Sequence, residues 1–162
     1  MKNVRNIIKL LVILLVCTAT TCEPRESENC HTSIRFSNKT TGDLYVISYF
    51  LSIHHPDPFD ISRLPRPSRV MSGEVDNRDA MLHYGCYENI FRRSSWSDTV
   101  FVYVFNAATV ERNPWSVIAR DYLVLQRYDL TLEDLQRLNW RITYPPDERM
   151  KDVEMFPPFN QE

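Results

Sequence analysis

Alternating apolar and polar positions along the chain predict a series of β-strands. Residues 33–37 have one apolar face, whereas residues 44–53 and 99–105 carry apolar side chains on both faces. A strand that is apolar on both faces must be covered on both sides, so residues 99–105 are predicted to form the core strand. The remaining predicted strands lie near Val70 and at residues 86–91, 122–128 and 140–144.

Two short helices are predicted in the C-terminal half from their start signals. Asn113 precedes Pro114, which is the arrangement of an N-cap residue before a proline at the first helical position, and this helix is expected to end near Asp121. Thr131 is predicted to cap a second helix that has acidic residues in its first turn. Leu132, Leu135 and Leu138 give that helix one apolar side.

Prolines and loss of periodicity mark the loops. Residues 54–69 contain four prolines and form the longest predicted loop, and residues after Pro146 are expected to be a packed or frayed tail. The fold class predicted from these elements is mainly β, an antiparallel β-sandwich or open barrel with two short helices in the C-terminal half. A single domain is expected over residues 30–146, with a C-terminal tail over 147–162.

The N-terminus has the organisation of an export signal. Basic residues precede a short apolar run at residues 10–16, which is shorter than the roughly 20 residues that a membrane-spanning helix requires. Ala19-Thr20-Thr21 then leads into Cys22, which predicts a lipoprotein-type signal peptide over residues 1–21, lipid attachment at Cys22 and a tether over 22–29. Cleavage at Cys17 is disfavoured by the bulky residues before it. The alternative is plain secretion, with Cys22 left as a thiol.

Two of the four cysteines are left over for the domain. Cys17 leaves with the signal and Cys22 would carry the lipid, so Cys30 and Cys86 remain in an oxidising compartment. A disulfide between Cys30 and Cys86 is therefore predicted. The alternative is two unpaired buried thiols.

Charge and glycine content exclude several classes of function. The signal peptide removes three basic residues, so the mature chain is more acidic than the formal net charge of −2 for the whole sequence, which argues against nucleic acid as a partner. Only three glycines are present, too few for a phosphate-binding loop or a dinucleotide fingerprint, so no nucleotide partner is expected. No cofactor and no catalytic residue is predicted.

One loop contains a group of possible metal ligands, His54, His55, Asp57 and Asp60. Imidazole and carboxylate groups bind zinc, and His31 or His83 would have to approach to complete such a site. Adjacent histidines in an extended chain point in different directions, so a solvated loop without metal is the favoured interpretation.

Aromatic residues are abundant, with three tryptophans and eight tyrosines, as in many carbohydrate-binding surfaces. Trp115 and Trp140 lie within predicted elements and are expected to pack in the core. Trp96 is flanked by polar residues and is the candidate for an exposed ligand-binding ring. Glu133 and Asp134 are explained by the helix dipole rather than by acid–base catalysis.

Several phrases resemble those of a known group of proteins. Residues 98–146, and in particular 100–107, 113–118 and 127–145, resemble the corresponding stretch of small uncharacterised lipoproteins of Bacteroidetes, and residues 30–36 are similar as well. The resemblance implies export and lipid anchoring, and it makes a relaxed signal such as Ala-Thr-Thr-Cys acceptable. It implies no activity and no catalytic residues.

The function expected from the sequence is that of a lipid-anchored protein of the bacterial cell envelope, at the outer membrane. Its partners would be the membrane, through the lipid, and an envelope protein or glycan. A non-catalytic binding or interaction module is the first hypothesis and a glycan-binding module is the alternative. A metal-dependent hydrolase built around His54, His55, Asp57 and Asp60 is the third.

Overall fold

The alternating segment at residues 99–105 lies in the middle of an antiparallel sheet, as predicted. The computed structural model describes residues 26–52, 57–93 and 96–159, and in it the central strand is β4 (Trp96–Asn106). Its valines at 100, 102 and 104 point into one core, and Phe101, Tyr103 and Phe105 point into a second core on the opposite face. Both faces of the strand are therefore covered.

Five strands make up this sheet, in the order β3-β2-β4-β5-β7. β2 (Leu44–Ser52) and β5 (Gln126–Thr131) flank β4, and both pairings are antiparallel. The short strands β3 (Ser68–Val70) and β7 (Glu154–Phe156) form the two edges. β7 lies in the segment after Pro146, so that segment is packed against the sheet rather than frayed as far as residue 159.

A second layer covers the valine side of the sheet. It contains β1 (Arg35–Asn38), which pairs in parallel with β6 (Arg141–Tyr144), and the helices α1 (Tyr87–Phe91) and α4 (Leu132–Arg137). Fully buried side chains such as Phe36 from this layer meet the sheet in the larger core. The mainly β fold class is confirmed, and the arrangement is an open one of a five-stranded sheet and a two-stranded layer.

The aromatic side of the sheet is covered by irregular chain and two short helices. A 3-10 turn at Ile61–Arg63 supplies the buried Ile61, and α2 (Ala107–Arg112) and α3 (Trp115–Arg120) follow β4. The helix predicted after Pro114 is thus present, whereas α2 was not predicted. The residues of α2 follow a strand directly, and the start signal is a single residue, Asn106, at the end of β4.

The predicted capping role of Asn113 is wrong. Pro114 occupies the N-cap position of α3, and the Asn113 side chain instead donates its Nδ2–H to the carbonyl of Thr109, at 2.8 Å. The side chain that caps a helix here is that of Asn106, whose Oδ1 accepts from the amide of Thr109 at the start of α2. Asn113 is therefore held by the end of the preceding helix rather than by the start of the next one.

Two predicted strands differ from the structure, one in type and one in its first residue. Residues 87–91 form helix α1, with Tyr87 and Ile90 buried at helical rather than alternating spacing. The strand expected at 122–128 begins only at Gln126, because Tyr122 has a φ of 47° and turns the chain after α3. Residues 122–124 cover the second core instead of extending the ladder.

Thr131 is confirmed as a helix cap. Its Oγ1 accepts from the amide of Asp134 at 3.1 Å, and the Asp134 carboxylate accepts from the amide of Thr131 at 3.1 Å, which completes a capping box. Hydrogen bonds from Thr131 and Arg137 outweigh the opposing effect of burial and hold the pKa of Asp134 below its usual value. The start of α4 is consequently determined by a local signal that is visible in the sequence.

The Thr131→Ala variant is expected to lose about 1 kcal/mol of unfolding free energy, because the Asp134 amide loses its acceptor. Urea denaturation measures the loss. Thr41→Ala, in the exposed turn between β1 and β2, is the matched control and should unfold at the same urea concentration as the parent. Equal midpoints for both variants would contradict the capping role.

Candidate ligand-binding site

The predicted metal cluster is only partly within the described chain, since His54 and His55 lie outside it. The Asp57 carboxylate accepts from the amide of Phe59 at 2.8 Å, and the Asp60 carboxylate accepts from the amide and hydroxyl of Ser62. Both carboxylates therefore hold the local turn. Within residues 26–52, 57–93 and 96–159, no three His, Cys, Asp or Glu side chains are grouped so that they would hold a metal ion.

The other two histidines considered as zinc ligands are used elsewhere. His83 accepts the amide of Gly85 at its Nδ1, at 3.1 Å, within an exposed loop. His31 lies next to the disulfide and is bound to Glu88. Neither contact involves the loop at residues 57–60.

Trp115 and Trp140 pack as expected for core residues. Trp140 is 4% exposed, and Trp115 is half-buried with its ring 5.5 Å from that of Phe105. Trp96 opens β4, but its side chain lies outside the described part of the structure. Two exposed rings that are described, Phe59 and Phe156, meet at an interplanar angle of 81° and so do not form a flat platform for a sugar.

The predicted disulfide between Cys30 and Cys86 is present, and the Cα atoms of the two cysteines are 4.8 Å apart. It joins the residue before His31 to the N-cap of α1. The carbonyl of His31 also accepts from the amide of Tyr87, at 2.8 Å. The chain before β1 is thereby attached to the start of α1.

Next to the disulfide, His31 and Glu88 form a closely bonded pair. Nδ1 of His31 lies 2.5 Å from Oε1 of Glu88, and the backbone amide of His31 donates to Oε2 at 2.9 Å. Glu88 is only 5% exposed, so the histidine supplies the hydrogen bonds that a buried carboxylate needs. The other ring nitrogen, Nε2, has no hydrogen-bond partner in the part of the chain that the structure describes.

The indole of Trp140 holds the plane of the His31 ring. The two ring centroids are 4.2 Å apart and the planes are 13° from parallel. Asn139 and Trp140 both have left-handed backbone, with φ of 52° and 58°, which is uncommon for a bulky residue. This conformation ends α4 and turns the indole under the histidine, where the amide of Trp140 donates to the carbonyl of Leu135.

The first described residues pack against the same region. Oε1 of Glu26 accepts from the Ser33 hydroxyl at 2.7 Å, and Oε2 lies 2.6 Å from a guanidinium nitrogen of Arg78. Burial opposes ionisation of Glu26, but the hydrogen bonds from Ser33 and Arg78 outweigh it and keep the pKa of its carboxyl below the usual value. The end of the predicted tether is therefore held to the domain by an ionised carboxylate.

These elements enclose a polar cleft of about 360 Å³ at the N-terminal end of the domain. The parallel register of β1 and β6 places Arg35 directly beside Arg141 in its wall. His31 contributes its ring and Glu28 an exposed carboxylate. The residues lining the cleft are Glu26, Ser27, Glu28, His31, Ser33, Arg35, Asn139, Trp140 and Arg141.

A second polar group, which the sequence did not reveal, lies beneath the aromatic side of the sheet. Arg127 donates two hydrogen bonds to Asp129, at 2.7 and 2.9 Å, and both side chains are less than a tenth exposed. The Arg127 guanidinium carbon lies 4.4 Å from the ring centroid of Phe59 and 6.0 Å from that of Phe156. Two opposite charges at i and i+2 on one strand share a face, and this is the signal that would have identified the pair.

Comparison with known proteins adds no relative on which to base a function. Fold and cleft together define a β-rich domain with a polar, histidine-containing cleft beside its N-terminus. No protein-family model, no curated protein and no solved structure matches the chain. Across residues 26–52, 57–93 and 96–159, no helix is both long and apolar enough to cross a membrane.

Proposed function

We propose that this chain is a lipoprotein of the bacterial cell envelope, located at the outer membrane. In this proposal residues 1–21 are removed, Cys22 carries the lipid and residues up to 29 link it to the domain. The Cys30–Cys86 disulfide supports the proposal, because such bonds persist in compartments outside the cytoplasm.

The domain would serve as a non-catalytic binding module that takes its ligand in the N-terminal cleft. The observation that carries this function is the preorganised histidine: Glu88 and Trp140 hold the ring of His31, while its Nε2 remains without a partner in the described chain. Residues whose orientation is determined by surrounding contacts favour specific binding, because little conformational entropy is lost when a ligand arrives.

The anchoring part of the proposal predicts that Cys22→Ala abolishes incorporation of a labelled fatty acid and releases the protein from membranes. Cys17→Ala is the matched control and should be labelled like the parent. Label that persists in the Cys22 variant would disprove the assignment of the lipid to that residue.

The binding part is tested by site-specific photo-crosslinking in intact cells. A photoreactive residue at Glu28, on the rim of the cleft, is expected to yield a discrete crosslinked product. The same residue at Arg66, on the Pro-rich loop, is the control and should yield none. The product should disappear when His31→Ala is introduced, and its persistence there would contradict binding in the cleft.

The alternatives give different results in the same material. A glycan-binding module would be retained on an envelope-glycan column. The Trp96→Ala variant would not be retained, whereas replacing His31 would have no effect. A metal-dependent hydrolase would purify with stoichiometric zinc that is lost when His54 and His55 are both replaced by alanine. A non-catalytic binding module should give neither result. The variant with alanine at His54 and His55 should then keep the melting temperature of the parent.

A further inference from the structure

We infer that the cleft binds an oxyanion, either a carboxylate or a phosphate group, between the guanidinium groups of Arg35 and Arg141. The inference rests on the proposed binding function and names the chemical class of the ligand. It follows from the pairing of the two arginines and from their unused hydrogen-bond donors.

Arg35 and Arg141 are direct neighbours across the parallel pair β1 and β6. Like charges in this position destabilise a sheet. Arg141 is paired with Asp76, with Nε 3.2 Å from Oδ2, but Arg35 has only a distant partner, because Oε2 of Glu26 lies 3.8 Å from its Nη2 and is bound to Arg78 at 2.6 Å. An anion placed between the two guanidinium groups would remove the remaining repulsion.

Both arginines also keep donors for such an anion. Among the described residues neither guanidinium makes a hydrogen bond, and the ion pair of Arg141 with Asp76 uses its Nε, so its two Nη groups remain for a ligand. Guanidinium groups bind carboxylate and phosphate in a bidentate manner, and two side by side match three or four oxygen atoms. The wall of the cleft therefore presents several donors and needs acceptors.

The acidic groups around the cleft are mostly engaged with the protein itself. Glu26 is bound to Ser33 and Arg78, and Glu88 is bound to His31. Glu28 is the exception, because it lines the cleft, is exposed and forms no ion pair in the described chain. Its charge should weaken the binding of an anion, which provides a variant with an effect of opposite sign.

The experiment uses the full chain, purified in a mild detergent with its disulfide intact, and isothermal titration calorimetry. The probes are inorganic phosphate, glucuronate and dihexanoyl phosphatidylglycerol, with dihexanoyl phosphatidylcholine as the zwitterionic control. Binding of phosphate or glucuronate would identify a soluble oxyanion as sufficient. Binding of phosphatidylglycerol without either of these would identify a lipid headgroup as the source of the anion.

Arg35→Gln and Arg141→Gln are each expected to weaken binding about tenfold or more, the effect of losing a charge-assisted hydrogen bond. Arg66→Gln removes the same charge from the Pro-rich loop and should change nothing. Glu28→Gln should bind more tightly than the parent, a result that damage to the fold would not produce.

Three outcomes would overturn the inference. They are the absence of binding of all three anionic probes at millimolar concentration, an equal loss in Arg35→Gln and Arg66→Gln, and binding of phosphatidylcholine as tight as that of phosphatidylglycerol. Each leaves the fatty-acid labelling of Cys22 and the crosslinking at Glu28 unaffected. Failure of the oxyanion site is thereby distinguished from failure of the proposed function.

Discussion

Replacing Cys86 by serine is expected to lower the free energy of unfolding by about 4 kcal/mol. The bond joins positions separated by 56 residues, and closing so long a loop removes much of the conformational entropy of the unfolded chain. A loss of this size is a large fraction of the stability of a domain of ordinary size. Urea denaturation of the parent and of the variant measures it.

Two further measurements test the origin of that effect. Cys30→Ser and the double variant should match Cys86→Ser, because each removes the same bond. Mass spectrometry of the unreduced, alkylated parent should show no alkylated thiol at either position. Free thiols at both cysteines in protein taken from the envelope would rule the bond out. A parent and variant that unfold at the same urea concentration would instead contradict the predicted stabilisation.

The second large effect is expected at the buried ion pair. Asp129→Ala should lower the free energy of unfolding by about 3 to 5 kcal/mol, since it leaves the guanidinium of Arg127 buried without a counter-charge. Arg127 is 6% exposed and its Nη1 already has no hydrogen-bond partner in the described residues, so water gives little compensation. Burial also raises the pKa of the Asp129 carboxyl, although the hydrogen bonds from Arg127 oppose this shift.

An exposed pair with similar geometry serves as the control. Arg120 donates to Asp121 at 2.7 and 2.8 Å, but both groups are in contact with solvent. Asp121→Ala should therefore leave the unfolding free energy nearly unchanged. Replacing Arg127 by methionine together with Asp129 by leucine should cost less than Asp129→Ala alone. A double variant as unstable as Asp129→Ala would show that the unpaired charge of Arg127 is not the cause of the lost stability.

Local patterns were sufficient wherever a few neighbouring residues decide the conformation. The strands at 44–53 and 99–105 follow from alternation over many positions, and the capping box at Thr131 needs only residues up to Asp134. Asn113 failed as a cap for the opposite reason. Its side chain has two possible backbone partners, and the existence of α2 before it, rather than its own sequence, decides which one it uses.

The candidate site was not predictable because its residues are distant in the sequence. His31 and Glu88 are 57 positions apart, and each looked ordinary by itself. Glu88 lies in a segment predicted to be a strand, whereas the segment forms helix α1 and buries the carboxylate against His31. Arg35 and Arg141 likewise become neighbours only through the parallel pairing of β1 and β6.

By itself, the sequence determined the mainly β class, the central strand, the start of α4 and the two cysteines available for a disulfide. These properties depend on periodicity, on local hydrogen bonds and on residue counts, all of which are present in the unfolded chain. Tertiary structure decided the helical state of residues 87–91, the buried pair of Arg127 and Asp129, and the cleft around His31. Each of these depends on which distant segments of the chain pack against one another and exclude water. Burial is therefore a property of the packed chain and not of any short part of it.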